Sequence, residues 1–456
     1  MKTLLDGPIL PSLLRLALPN VLAMAAAAAV GIGETFYVGL LGLEPLAAMA
    51  VVFPFVMLTQ MFSSGAMGGG VSSAVSRAIG AGDLDRARTL ATHAVVIGAS
   101  AGLLFTVFFL AAGPVLYGWL GARAAVLEQA VLYSQVVFCG ALPIWLCNTL
   151  ISVLRGAGNM RIPSAAVLVA CLVQIGLGAA LGLGLGPLPR LGMAGVALGQ
   201  VVAYSAATAF LFWYLLAGPA ALRLSLRRGA LRREMFHDIL KVGALACLSP
   251  LQTVLVIMII TALVARYGVQ PLAGYGIGAR LEFLLIPIAF GVGVAAVPMV
   301  GMAIGAGDVR RARKVAWMAG GVSAAVLGSI GLLVALLPDT WAALFTSDVQ
   351  VLASARQYLR WAGPAFAFFG LGLTLYFASQ GSGKVLGPVL AATARLVFVA
   401  AVGAMLVWLG APVWALFALV GAAMAVYGLV TAAAVYFTPW GAARRVGGSP
   451  ASRQPA

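Results

Sequence analysis

Long apolar runs, broken by short charged or Gly/Pro-rich stretches, make up nearly the whole chain. A helix needs about 20 mainly apolar residues to cross the hydrocarbon core of a bilayer. Twelve runs of that order can be placed, at 13–38, 46–75, 88–112, 126–153, 163–186, 192–216, 239–265, 273–303, 314–337, 351–379, 386–409 and 412–437. The pattern predicts an all-α integral membrane protein with twelve transmembrane helices. Ahead of the first run stand Lys2, Asp6, Gly7, Pro8 and Pro11, and the run itself is too long for a signal-peptide core. The first helix is therefore expected to stay in the membrane as its own targeting signal.

The polar breaks repeat. "SRAIGAGDLDRAR" (76–88) returns as "GMAIGAGDVRRAR" (301–313), which matches Gly80, Gly82 and Asp83 to Gly305, Gly307 and Asp308 at an offset of 225. The same offset carries "RGAGNMRIP" (155–163) onto "QGSGKVLGP" (380–388), and "LGLEPLAAM" (41–49) resembles "YGVQPLAGY" (267–275) at an offset of 226. The chain is thus two six-helix halves in tandem. Six helices return the chain to its starting side, so the halves are parallel repeats about an axis along the membrane normal, an arrangement used by alternating-access transporters. The expected organisation is an N-terminal bundle (1–217), a basic linker (218–238), a C-terminal bundle (239–440) and a disordered tail (441–456). Each Gly-x-Gly-Asp turn is expected to end one helix with a left-handed cap and to start the next with Asp as its N-cap.

Composition agrees with this. The chain is 62% hydrophobic and only 9% charged, against about 25% charged in a soluble domain. Charge then orients it. Of the 28 Lys and Arg residues, 21 fall on the side of the N-terminus, five (Arg123, Arg190, Arg266, Arg356 and Arg360) on the other, and Arg280 and Arg395 within spans. Basic loops face the cytoplasm, so both termini are expected there, in a bacterial inner membrane. The net charge of +16 is a topology signal spread over short loops, which excludes nucleic acid as a partner. Cys139, Cys147, Cys171 and Cys247 lie in apolar spans without metal-ligand spacing and read as packing residues. Two histidines far apart and no HExxH pattern leave no catalytic or metal constellation, so no enzyme and no cofactor is expected. His93 reads as structural.

Two of the twelve carboxylates, Glu34 and Glu282, fall deep in spans. An ionisable group at membrane depth costs about 2.5–3.5 kcal/mol on insertion scales, so it is kept mainly where it faces a cavity or a partner. Glu34 sits among small residues in "VGIGETFYVG". Glu282 stands two residues from Arg280, and residues two apart on a helix do not face each other. An ion pair with Arg395 is one reading of Glu282; attraction of a cationic substrate is the other. Asn20, Tyr37, Phe53, Gln60, Asn148, Tyr204, Gln252 and Tyr376, with Met57, Met61 and Met258, could line a cavity for flat cationic compounds. Pro19, Pro54, Pro143, Pro250, Pro287, Pro298 and Pro364 permit bending within spans.

The repeated loops, "ETFYVGLLGLEPLAA" (34–48), "RGAGN" after the fourth helix and "GIGARLEFLLIPIAFGVG" (276–293) together resemble the multidrug and toxic compound extrusion (MATE) family, in its bacterial DinF-like branch, over nearly the whole chain. The resemblance implies a V-shaped pair of bundles that exports organic, often cationic, compounds in exchange for protons or sodium ions. It also implies that Glu34 and Thr35 match an Asp-Thr pair in relatives, which makes Glu34 the coupling carboxylate, and burial favours the protonated form of such a group. Where relatives complete this site with an Asn and an Asp in the fifth helix, the chain has Gln174 and Gly178. Glu34 and Gln174, with Tyr37 and Thr35, are then expected to carry one proton per cycle. Acids that NorM-type relatives use for sodium are absent from 239–265 and 357–379. The expectation is a monomeric, proton-coupled exporter of organic cations. A lipid-linked saccharide flippase of the same superfamily and a sodium-coupled exporter are the alternatives.

Overall fold

The computed structural model describes residues 5–218, 222–224 and 231–441. Lys2, the expected tail and much of the expected basic linker lie outside the described residues. Among the described residues, eleven helices are long and apolar enough to cross a membrane, and a pair bent by 45° makes a twelfth. They are α1 (Ile9–Leu41), α2 (Leu43–Gly80), α3 (Leu84–Trp119), the bent α4 (Ala124–Cys139 and Ala141–Gly156), α5 (Arg161–Leu183), α6 (Gly192–Leu216), α7 (Arg233–Ala265), α8 (Val269–Gly305), α9 (Val309–Leu336), α10 (Val349–Ser382), α11 (Leu386–Trp408) and α12 (Val413–Phe437). All twelve expected spans are present. The seventh begins at Arg233, inside the 218–238 stretch expected as linker.

Proline explains where the helices break. It has no N–H for the carbonyl four residues back and clashes with it. Pro143 and Pro250 stand four residues after Cys139 and Ala246, where the first segments of α4 and α7 end. Pro364 lies in a 3₁₀ turn, Gly363–Ala365, within α10. In α2 the interruption is a π-helical stretch, Met61–Met67. The turns between α2 and α3 and between α8 and α9 are built as expected. Gly82 and Gly307 adopt φ of 78° and 84°, and Asp83 and Asp308 accept the N–H groups of Arg86 and Arg311, each at 2.9 Å.

The two halves meet at the end that carries the repeated loops, the basic end. Gly80 packs against the backbone of Met302 and Gly305 against the backbone of Arg77. Since 77 and 302 are repeat partners, as are 80 and 305, the two contacts are the same contact repeated by rotation about the pseudo-twofold axis. Here α1 and α7 also cross over. Leu13, Leu16 and Ala17 of α1 are buried in a cluster with Val294 and Ala295 of the second half, while Met235 and Ile239 of α7 are buried with Val71 and Leu90 of the first. His93 holds the second crossing, accepting the Arg232 N–H on Nε2 at 2.9 Å. Toward the opposite end the apolar clusters separate into one drawn only from the first half and one only from the second. The result is a V closed at its basic end.

Candidate functional site

Glu34 is buried in the wall of the first half, 6% exposed. Gln174 of α5 donates Nε2–H to Glu34 Oε1 at 2.8 Å. Tyr37, one turn on from Glu34, shares its face, and a side chain at Gly178 would press on the Tyr37 hydroxyl. The space where the resemblance implies a second acid is thus taken by a phenol. Tyr133 of α4 and Cys171 of α5 lie within electrostatic reach of Glu34. Thr35 does not join them: its hydroxyl donates to Gly31 O of the same helix at 2.8 Å and its side chain is exposed.

In the second half, Tyr358 of α10 donates its hydroxyl to Glu282 of α8. Arg395 makes no ion pair with Glu282. Its guanidinium lies 5.9 Å from the ring of Phe369 and 5.8 Å from that of Tyr427, close enough for its charge to be felt at Glu282. Tyr358 was not singled out by sequence, though a signal existed: "VLEQAVLY" (126–133) and "VLASARQY" (351–358) match at Val, Leu, Ala and Tyr at the offset of 225. Tyr133 and Tyr358 are repeat partners, the first within electrostatic reach of buried Glu34 and the second bonded to the part-buried Glu282.

The other expected lining residues scatter. Asn20 is fully buried at the floor of the V, where it accepts from Arg155 Nη2 at 2.7 Å and donates to Gly291 O at 3.3 Å. Those contacts join α4 and α1 to α8 of the other half. Gln60 donates to Tyr204 and accepts from Asn148, each at 3.0 Å, beside the start of the π-helical stretch. Gln252 donates to Thr393 at 2.7 Å, linking α7 to α11. Phe53 is exposed. Also across the two halves, Ser73 donates to Gln380 O and Gly381 O, and Gln380 is the repeat partner of Arg155. Among the described residues, no three His, Cys, Asp or Glu side chains gather as a metal site.

The profile of the MatE family matches residues 19–180 and 246–406, one stretch in each half. The chain is 26% identical over 380 residues to a protein of Shewanella oneidensis named FAD transporter, covering 82% of each. It is 24% identical over 387 residues to a probable multidrug resistance protein NorM of Thermotoga maritima, covering 83% of this chain and 81% of the relative. Its fold superposes with a TM-score of 0.82, at 22% identity and over 96% of the chain and 98% of the other, on a multidrug resistance MATE family transporter solved in an outward-facing conformation.

Proposed function

This chain belongs to the MatE family of membrane transporters, and from that premise we propose that it exports organic cations in exchange for protons, as a monomer in a bacterial inner membrane. The branch of the family rests on the motifs quoted above. The observation that carries the coupling is the Glu34–Gln174 hydrogen bond: a buried carboxylate held by an amide, with no cation in ion-pair contact among the described residues. Such a group is suited to gaining and losing a proton, whereas a metal cation draws on several oxygen ligands. Sodium is the weaker reading for that reason.

Basic loops facing the cytoplasm make the closed end of the V cytoplasmic, so the chain faces outward in this state. A proton entering from the open end neutralises Glu34 and alters its bond to Gln174. The same helix, α1, carries the Asn20 contacts that hold the floor shut, so the change is transmitted along the helical stretch between Glu34 and Asn20. Opening the floor releases the proton inward and admits substrate. Glu282, held by Tyr358, attracts the cation in the second half.

A second reading of the cargo is favoured by Arg155, a buried cation at the floor, and by the relative named FAD transporter: a flat aromatic anion. Efflux from proteoliposomes tests both. Ethidium efflux driven by a proton gradient, lost in Glu34→Gln and indifferent to sodium, supports proton-coupled export of cations. Gradient-driven efflux of flavin with none of ethidium supports the second reading, and dependence on sodium alone overturns proton coupling.

A further inference from the structure

In the first half, the groove between the start of α3 and the end of α6 is filled by the chain itself. Leu222 and Leu224, from the stretch after α6, are buried in the same apolar cluster as Leu90, Leu211 and Leu215. The Leu224 N–H caps the Leu215 carbonyl at 2.9 Å. Further along α3, His93 is covered by Arg232 and by the ring of Phe236 at 4.7 Å.

The repeat places the same groove in the second half, between the start of α9 and the end of α12. There the carbonyls of α12 are capped by a side chain: Arg313 donates to Tyr436 O at 3.1 Å and to Thr438 O at 2.9 Å. The groove has a volume of about 530 Å³ and is lined by Arg313, Lys314, Trp317, Met318 and Tyr436. Met318, the repeat partner of His93, is 37% exposed where His93 is 2% exposed. Arg310, Arg313, Lys314, Trp317 and Met318 follow the i, i+3, i+4, i+7, i+8 spacing of one helix face. That face runs from cations at the end of the bundle to an indole and a thioether toward the membrane interior, with no carboxylate on it. Trp440, just after α12, is buried against Ala312, Val315 and Ala316 on another face of α9, and the chain beyond Gly441 is a poor match for the groove. Residues 442–456 carry Arg444, Arg445 and Arg453, the same sign as the lining, with Val446 as the one large apolar side chain.

We propose that an anionic phospholipid of the leaflet at the basic end occupies this groove. Its phosphate lies against Arg313 and Lys314, and an acyl chain runs along Trp317, Met318 and Tyr436. Basic pockets between helices at that level recognise acidic headgroups, and aromatic side chains favour the same interface. Arg311, two residues from Arg313 and on a different face of α9, is not part of the groove: it donates to Gly7 O at 2.6 Å.

Native mass spectrometry of the full chain in neutral detergent tests this with three probes: dioleoyl phosphatidylglycerol, dioleoyl phosphatidylcholine and free glycerol 1-phosphate. The expected result is retention of phosphatidylglycerol over phosphatidylcholine, no comparable binding of the free phosphate, and binding about fivefold weaker in Lys314→Gln, the contribution of one basic group at a headgroup. Lys241→Gln, exposed at the same end on α7, leaves binding unchanged, as does truncation after Gly441. Thermal unfolding without lipid confirms that Lys314→Gln folds. If it does not, Trp317→Leu replaces it, with the same weakening expected. Four results overturn the proposal: equal retention of phosphatidylcholine, equal loss in Lys241→Gln, free phosphate bound as tightly as the lipid, or phosphatidylglycerol bound by the truncated chain alone, which would make the tail the occupant.

Discussion

Tyr358 gives Glu282 its hydrogen-bond donor, and removing a buried group's partner costs about 1–3 kcal/mol. Tyr358→Phe is therefore expected to lower thermal stability in detergent by that amount without disturbing α10, because the ring keeps its packing against Tyr275 and Phe417. A melting curve unchanged from the native protein would show that Glu282 does not depend on this hydroxyl. Gly178→Ala is expected to displace Tyr37 from beside Glu34 and to press on α6, since the backbone of Gly178 also lies against Gly199. Its effect should appear as a shifted pH dependence of efflux as well as lower stability. At this scale the sequence was informative about rare residues and weak on their partners. Glu34 stood out because a carboxylate in an apolar run is costly, and Gln174 because the resemblance implies a partner for that carboxylate in the fifth helix. Thr35 was misplaced by adjacency: consecutive residues on a helix point about 100° apart, so the neighbour of a buried glutamate faces elsewhere. Tyr358 is an ordinary residue for a membrane helix, and only its repeat partner beside Glu34 marks it out.

Between elements, the repeated glycines do two jobs that sequence alone merges into one. Gly82 and Gly307 supply the left-handed turn, a local demand that the Gly-x-Gly-Asp pattern announces. Gly80 and Gly305 are helical and lie where one half's backbone touches the other's, a demand visible only once the halves are docked. Gly80→Val should force α2 and α8 apart at the basic end. Spin labels at Leu84 and Val309, on a cysteine-free background, should then report a distribution shifted to longer distances than in the native protein. Gly82→Val should strain the turn and leave that distance nearly unchanged, so equal shifts in the two variants would undo the distinction. Of the seven prolines expected to permit bending, Pro143 and Pro250 follow a break four residues earlier, at the carbonyl that loses its donor, Pro364 lies in a 3₁₀ turn, and Pro19, Pro54, Pro287 and Pro298 lie inside unbroken helical stretches. The start of α7 at Arg233 was hidden by charge: "RREMFHDILK" (232–241) reads as linker by hydropathy, yet Met235 and Ile239 bury one face of it against the first half.

For the whole molecule, a two-half architecture invites the picture of two independent bundles rocking on a hinge, and the exchange of α1 and α7 at the basic end changes that picture. Glu34 belongs to the first half through Gln174, while Asn20, four turns away on the same helix, touches Gly291 of the second. Closure of the floor is then a property of α1 and of the cation that steadies it. Arg155 has no acidic partner in ion-pair contact among the described residues; its contact is Oδ1 of the Asn20 side-chain amide. If the floor parts during transport, the bond that breaks is the one from Asn20 to Gly291 of the other half, and the Arg155–Asn20 bond, a charge-assisted hydrogen bond of about 1.5–3 kcal/mol, holds the Asn20 amide in place to make it. Arg155→Gln should weaken closure by roughly that amount, enough to move a predominantly closed population toward an open one by about tenfold or more. The same pair of labels at Leu84 and Val309 should reveal the added open population, and efflux should lose its dependence on Glu34 to the degree that the floor opens unprompted. Should Arg155→Gln leave the distances as they are while abolishing efflux of an aromatic anion, Arg155 would be a substrate contact instead, and closure would rest on the glycine contacts between α2 and α8, the Ser73 bonds to α10 and the crossings of α1 and α7.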